Sequence, residues 1–427
     1  MRDKEKVIIR KAPDYDPEII KKIIQEGIED FSLASRIKGR ITIKPNVVIA
    51  HPKIAPSAFT RAEFLDGLLG ALEAEKKDEL KIVMAEKTGA GLPTARMFRH
   101  AGYLKLKRKH KIKLLPIEEA KKKTVHLHKG EIQTKVTTAR EIVDNDFLVY
   151  TPKLKSNVLS QGLSAALKLN IGLLLDRERM QGHNFDLDRK IVDLLEVGTP
   201  DFIATDAVEI GTGGNQLTQH GRHLGIILMA TNPLAHDVVC AHILHLDPQN
   251  IQHLRLAHER GYGPLSLDDI EIDGDIALEE IQQKTKNLDL GMVRVDEVDC
   301  NIRTINGEPY CVGGCHGIFL DWLYMFKDRK PELWKNMPAW TVVIGQYAGD
   351  VSASRLMVIG TCSKIDGKVQ ARKRRKIRGC PPKHKYLVLQ FLLKAGIINP
   401  LFRLDIIIDA YLFLFVSWLR RLVKGRL

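Results

Sequence analysis

Short apolar runs that alternate with helical stretches constrain this chain more than any other feature. "KVIIRKA" near the N-terminus reads as a strand, and "DPEIIKKIIQEGIEDF" as an amphipathic helix that starts at Asp16-Pro17. The pattern then repeats. "RITIKPNVVI" is a strand running into a loop at Pro45, "RAEFLDGLLGALEAE" a helix, "LKIVMAE" a strand, and "KTGAG" a glycine turn before a helix from Pro93. "DFLVYTP" and "DFIATDA" are further buried strands, and "NPLAHDVVCAHILHL" a further helix. Apolar strands separated by helices predict an α/β fold, a mostly parallel sheet flanked by helices. The 427 residues are enough for two or three domains.

In such sheets ligands bind where strands end and loops begin. The polar residues at those ends are Lys44 and Asn46, Glu86 to Gly91, Lys153 and Lys155, and Asp206 to Gly214. "ALKLNIGLLLDRERMQGH" adds Lys168, Asn170, Arg177, Arg179 and His183. A lone lysine is ordinarily a solvated surface charge, but several aimed at one crevice would hold a phosphate or carboxylate. Lys44, Asn46, Lys153, Lys155, Lys168 and Asn170 are therefore the expected binding residues for an anionic small molecule. His183, with Asp186 and Asp188 just behind it, and Glu86 and Asp206 are the candidates for acid–base chemistry. "EIGTGGN" is neither a P-loop nor a dinucleotide fingerprint, and no nucleophile-elbow, zinc-protease or kinase signature occurs. No motif names a reaction.

Six cysteines are too few for a disulfide scaffold. Cys240 sits in a helical pattern beside Val238 and Val239 and reads as a small buried apolar residue. Cys311 and Cys315 in "CVGGC", Cys362 in "GTC" and Cys380 in "GCPP" each have glycine adjacent or one residue away, in loop settings. Thiolates that must converge on one centre need bendable backbone. These four are the expected metal ligands, with Cys300 a possible substitute and His316 next to Cys315. Four thiolates suit an iron–sulfur cluster or zinc. The spacing is neither a dense ferredoxin run nor a pair of C-x2-C knuckles. Proline directly after Cys380 favours a 4Fe–4S cluster, with zinc the alternative. "GCPP" is also similar to the cluster-binding segment in small subunits of quinone oxidoreductases and hydrogenases.

The net charge of +14 is unevenly placed. From Lys364 onward 16 Lys and Arg face three acids, Asp366, Asp405 and Asp409, which leaves 50 basic against 49 acidic residues before it. A basic segment seeks nucleic acid or an anionic membrane surface, and its neighbours decide which. "KYLVLQFLLKAGIINPLF" and "RLDIIIDAYLFLFVSWLRRLVKGRL" are helical patterns broken at Asn399-Pro400. The longest uncharged run in the second, from 410 to 419, is half of what a bilayer crossing needs. Leu404, Ile408, Tyr411, Leu412, Phe415, Trp418 and Leu422 mark one apolar face, and Arg420, Arg421, Lys424 and Arg426 finish the helix. That is the pattern of an interfacial helix on anionic lipid; the alternative is a helix packed on the body or on a partner protein. Nucleic acid is disfavoured, because the basic run has no interleaved aromatics. "MRDKEKVIIRKAPDYD" lacks the apolar core of a secretory signal, so the expected location is cytoplasmic, peripheral on the inner face of the cytoplasmic membrane.

Six stretches in order resemble one family: "IKPNVV", "EKTGAG", "PKLKSN", "KLNIG" followed by His183, "PDFIATDAVEIGTGGN" and "NPLAHDVVCAHILHLDP". They are similar to the domain of unknown function 362, DUF362, across residues 5–275. The resemblance implies an α/β domain from a mostly prokaryotic family, sometimes joined to ferredoxin-type four-iron clusters, and it implies no reaction. The family often has histidine where Asn157 stands, and lysine followed directly by asparagine where Lys168-Leu169-Asn170 stands. No ferredoxin module is present, so the scattered cysteines would have to replace it. The chain then divides into a DUF362-like body (1–295), a smaller cysteine-bearing α/β lobe (296–382) and a basic amphipathic helical tail (383–427). The favoured reading is an iron–sulfur protein of electron transfer, an oxidoreductase with a redox partner protein. The alternatives are an isomerase or phosphate-handling transferase with structural zinc, and a membrane-recruiting scaffold without catalysis.

Overall fold

The computed structural model describes residues 4–51, 55–75, 79–89, 91–213, 219–382, 384–398 and 404–425. Gly214, Arg426 and the Asn399-Pro400 break lie outside these residues. The body contains β1 (Glu5–Lys11), β2 (Arg40–Pro45), β3 (Lys81–Glu86), β4 (Lys113–Pro116), β5 (Lys122–His126), β6 (Lys135–Ala139), β7 (Phe147–Thr151), β8 (Lys153–Lys155), β9 (Phe202–Thr212), β10 (His220–Ala230) and β11 (Ile270–Gly274). One sheet runs in the order β11-β1-β10-β9-β7-β2-β3-β4, with β8 beside β9, and β5 and β6 form a separate hairpin. Every neighbour pair of the large sheet is parallel except those of β10, which runs against both β1 and β9. The expected mostly parallel α/β sheet is present.

Both faces of the sheet are covered, as alternation along β1 requires: Val7 and Ile9 enter one core and Ile8 the other. The helix Pro17–Asp30 lays Ile20, Ile23, Ile24 and Ile28 on the second core, at helical spacing. Asp16 caps it by accepting from the amides of Glu18 and Ile19. The helix Ala62–Ala74 crosses it closely enough that a Cβ on Gly67 would lie 2.7 Å from Ile20. The helix Pro233–Ile243, capped by Asn232, covers the other face. Each fully buried Ile or Leu here contributes about 1.5–3 kcal/mol relative to exposure.

The lobe is built differently. β12 (Ile302–Asn306), β13 (Trp340–Tyr347), β14 (Val351–Ile365) and β15 (Val369–Ile377) form a second sheet in chain order, parallel throughout. Residues 348–350 and 366–368 join its last three strands, far too short for an ordinary parallel crossover. The register explains how. Thr341 sits beside Leu356 and Val351 beside Val369, so the chain bends back within each strand and stacks one coil on the last. Val343, Val351, Leu356 and Val358 fill the inside of the coil. Val342, Ile344, Met357, Ile359 and Ile377 join Phe319 and Trp322 of the helix Cys315–Arg329 in the core shared with the body.

The coils are not identical. Ile344 pairs with Ile359 and Gln346 with Lys364, so the single Gly345 faces the four residues 360–363. The excursion of three extra residues carries Cys362, and the amide of Gly345 closes it by donating to Ser363 Oγ at 2.8 Å.

Two helices follow. In His384–Ala395, Leu387 and Phe391 are buried, and the Phe391 ring lies 4.1 Å from that of Trp322. The helix Leu404–Val423 turns its polar side to the body. Asp409 pairs with Arg96 and His100 at 2.7 Å each, and Glu119 accepts from Ser417 and faces Arg420 and Lys424. Its apolar side is left outward: Leu404, Ile408, Tyr411, Leu412, Phe415, Trp418 and Leu422 are all exposed. No helix among the described residues is long and apolar enough to cross a membrane.

Candidate functional site

The carboxyl ends of β2 and β3, with β8 and the adjacent part of β9, carry the charged residues expected of a site. Lys44, at the end of β2, is fully buried and meets Glu86, at the end of the adjacent β3, at 2.7 Å. Glu86 also accepts from the amides of Val47 and Lys87 at 3.2 and 2.8 Å. Burial disfavours both charges, pushing Lys44 down and Glu86 up, and each compensates the other. Gly172 stands over the pair, where a Cβ would come within 2.3 Å of Glu86 Oε1 and 2.5 Å of Lys44 Nζ. Lys153 pairs with Asp206 of β9 at 3.0 Å, and donates to the Tyr15 hydroxyl, which itself donates to Asp206 at 2.8 Å. Burial, then the charge of Asp206, holds the Tyr15 hydroxyl well above its usual range.

Lys155 and Lys168 differ from these two. Fully buried Lys155 donates to Asn46 Oδ1 and, at 3.1 Å, to the carbonyl of Ala58. Burial, then the charge of Lys153, pushes it down to about 7. Lys168 donates to Ser160 Oγ at 2.8 Å and is pushed well down by burial and then by Lys155. Asn170 accepts from the Tyr150 hydroxyl at 2.6 Å, and its amide nitrogen is buried without a hydrogen-bond partner among the described residues. Arg179 is tied to the carbonyls of Lys87, Thr88 and Ile171. His183 donates from Nδ1 to the carbonyl of Gly313 at 2.8 Å, and burial pushes it down to about 3, so it is neutral. It forms no pair with Asp188, which is held by His253 at 2.9 Å.

The four expected cysteines gather at the edge of the lobe. Cys311 lies in the loop before the helix that Cys315 opens, Cys362 in the excursion of β14, and Cys380 just after β15. Gly379 and Thr361 exchange two hydrogen bonds, 2.9 and 3.0 Å, which sets Cys380 beside Cys362. A Cβ on Gly360 would lie 3.1 Å from Cys315 Sγ, and one on Gly314 2.6 Å from Cys311 Sγ, so these two glycines leave the room the sulfurs occupy. Burial pushes the Cys311 thiol up to about 11 and Cys315 higher, and each is raised further by the other thiols of the group. All six cysteines are free. Cys240 is buried against His236, and Cys300 donates to the carbonyl of Ile302 at 3.4 Å; neither belongs to the group. His316 Nδ1 accepts from the Cys311 amide at 2.9 Å, which takes that nitrogen out of ligand duty. Among the described residues no three His, Cys, Asp or Glu are gathered tightly enough for one metal ion.

Residues 41–242 match the family described as Domain of unknown function (DUF362). This segment is a DUF362 domain. No curated protein matches the chain. A solved structure similar to it is the lactate racemase apoprotein from Thermoanaerobacterium thermosaccharolyticum, with 12% sequence identity and a TM-score of 0.36, covering 79% of this chain and 68% of that one.

The DUF362 domain contains all the expected binding and acid–base residues: Lys44, Asn46, Glu86, Lys153, Lys155, Lys168, Asn170, His183 and Asp206. The four cysteines lie beyond it. The two groups meet through consecutive residues: His183 bonds Gly313, between Cys311 and Cys315, and Asn184 Nδ2 donates to Cys380 Sγ at 3.8 Å. Sequence reasoning missed Tyr15, 191 residues from its partner Asp206 and outside the matched segment, and it missed Asn184. No local pattern singles out Tyr15. The position of Asn184 directly after His183 is the one signal that could have found it.

Proposed function

We propose that Cys311, Cys315, Cys362 and Cys380 hold a 4Fe–4S cluster, and that the protein is an iron–sulfur electron-transfer protein or oxidoreductase whose DUF362 domain binds an anionic small molecule. The observation that carries this reading is the meeting of four free thiols from three separate chain segments, while Cys240 and Cys300 stay apart. The donor set suits the group, and the bare backbone at Gly314 and Gly360 leaves space beside the sulfurs. Proline directly after Cys380 favours a four-iron cluster over zinc. Such a cluster supplies one-electron transfer. Around it, Asn184 would hold Cys380 in place, and the buried cations of the DUF362 domain would hold the substrate's negative charge.

The same reading puts the protein peripherally on the inner face of the cytoplasmic membrane, where a redox partner protein would meet it. The outward apolar side of the helix Leu404–Val423, ending in exposed Arg420 and Lys424, supports this.

Purification without oxygen tests the cluster. The expected product is coloured, with iron and sulfide at about four each per chain. Cys380→Ser should lose the iron and Cys240→Ser should keep it. A colourless protein with stoichiometric zinc would replace the cluster with a structural zinc site, and a protein without metal would leave the scaffold reading.

A further inference from the structure

We infer that Lys155 and Lys168 together seat one oxyanionic group, a carboxylate or a phosphate, of the small molecule bound by the DUF362 domain, while Lys44 and Lys153 only build the floor beneath it. This rests on the anion-binding half of the proposed function and not on the cluster.

The argument begins with donors and counter-charges. A lysine ammonium has three N–H donors and no acceptor. Lys44 and Lys153 each have a carboxylate, Glu86 and Asp206, within 3.0 Å. Among the described residues, Lys155 has only two neutral oxygens, Asn46 Oδ1 and the Ala58 carbonyl, and one N–H is left over. Lys168 has only Ser160 Oγ among them, and two are left over. Asp188, the acid whose charge reaches Lys168, is already engaged by His253 and by Gln161 at 2.9 and 3.2 Å. Among the described residues, fully buried Lys155 and half-buried Lys168 therefore keep unused donors with no anion bonded to either, and Lys168 lies within reach of the Lys155 charge. Holding a charge on fully buried Lys155 without a counter-charge is costly, which is why burial weakens its hold on the proton. A negative group arriving from outside would supply the missing counter-charge. The place is right as well: Lys155 ends β8 and Lys168 lies in the short helix Ala166–Leu169 that follows, on the carboxyl side of the sheet where ligands of α/β proteins bind.

The seat has a pH signature. With Lys155 at about 7 when empty, a bound anion raises it, so binding above that pH must draw in a proton. Affinity is then greatest below pH 7 and falls by up to about tenfold per pH unit above it.

The test is calorimetric titration of the full chain with inorganic phosphate in one arm and malonate in another, at pH 6 and pH 8. At least one anion should bind, more tightly at pH 6, with proton uptake at pH 8; which arm binds distinguishes phosphate from carboxylate. Lys155→Met should weaken binding at least tenfold and leave the melting temperature of the anion-free protein unchanged or higher, because it removes an uncompensated buried charge. Lys168→Met should also weaken binding. The inference is overturned if neither anion binds the wild-type protein at millimolar concentration, if Lys155→Met binds as well as wild type, or if that variant melts well below it, since Lys155 would then be a structural residue. A protein that lacks iron but binds phosphate would sink the cluster alone; one that carries iron but binds neither anion would sink the seat alone.

Discussion

Lys44 and Glu86 are almost completely buried at 2.7 Å from each other, so removal of either strands a charge in a dry site. Lys44→Met alone is expected to destabilise the protein by about 3–5 kcal/mol, and the double variant Lys44→Met/Glu86→Leu by clearly less than the two single changes together. Urea unfolding of the full cycle measures this, and simple additivity would show that the pair is not coupled. The sequence made these residues visible only as polar groups at strand ends. It did not show that they pair, because Glu86 is 42 residues from Lys44 and Asp206 is 53 from Lys153. It also gave Lys44 and Lys153 the same standing as Lys155 and Lys168, and only the hydrogen bonds separate the committed lysines from the others. The cysteines were easier. Neighbouring glycine distinguished Cys311, Cys315, Cys362 and Cys380 from Cys240, since close packing of sulfur against backbone at Gly314 and Gly360 excludes a side chain.

Among the elements, β14 is the most informative. Its excursion interrupts an otherwise regular coil, and Ser363 pins it to Gly345. Deleting Thr361, Cys362 and Ser363 should leave a strand that still pairs with β13 and β15, so far-ultraviolet circular dichroism should stay near wild type while bound iron is lost. Retained iron would mean that Cys362 is not a ligand. The terminal helix presents a second case. Its apolar face could be read from residue spacing, but the alternatives of lipid and protein packing could not be separated. The structure shows the polar side packed on the body through Asp409, Ser417 and Arg420, and leaves Phe415 and Trp418 exposed. Replacing Phe415 and Trp418 together with serine should reduce sedimentation with anionic vesicles several-fold and leave stability unchanged within about 0.5 kcal/mol. Undiminished binding would overturn the interfacial reading.

At the scale of the whole molecule, the alternation of strands and helices made the parallel part of the main sheet legible. The reversed strand β10 was not, because antiparallel pairing with β1 and β9 depends on contacts more than 200 residues apart in one case and on a close hairpin-like return in the other. The coil was also hidden: connections of three residues look like hairpin turns, and only register shows that its strands run the same way. Composition suggested a lobe, yet the core of the helix Cys315–Arg329 runs without a break into residues such as Leu159, Leu163 and Leu187.

A stack of coils also has an end. Among the described residues β15 is the outermost strand of its sheet, and its outer edge could serve as a template for the same strand of another molecule, extending the stack into a fibre. Arg372, Lys373, Arg374, Arg375 and Lys376 are all exposed along it. Two such edges repel each other before they can pair, and salt weakens that repulsion as the screening length falls. The basic run that stands out in the sequence would thereby oppose edge-to-edge stacking of molecules.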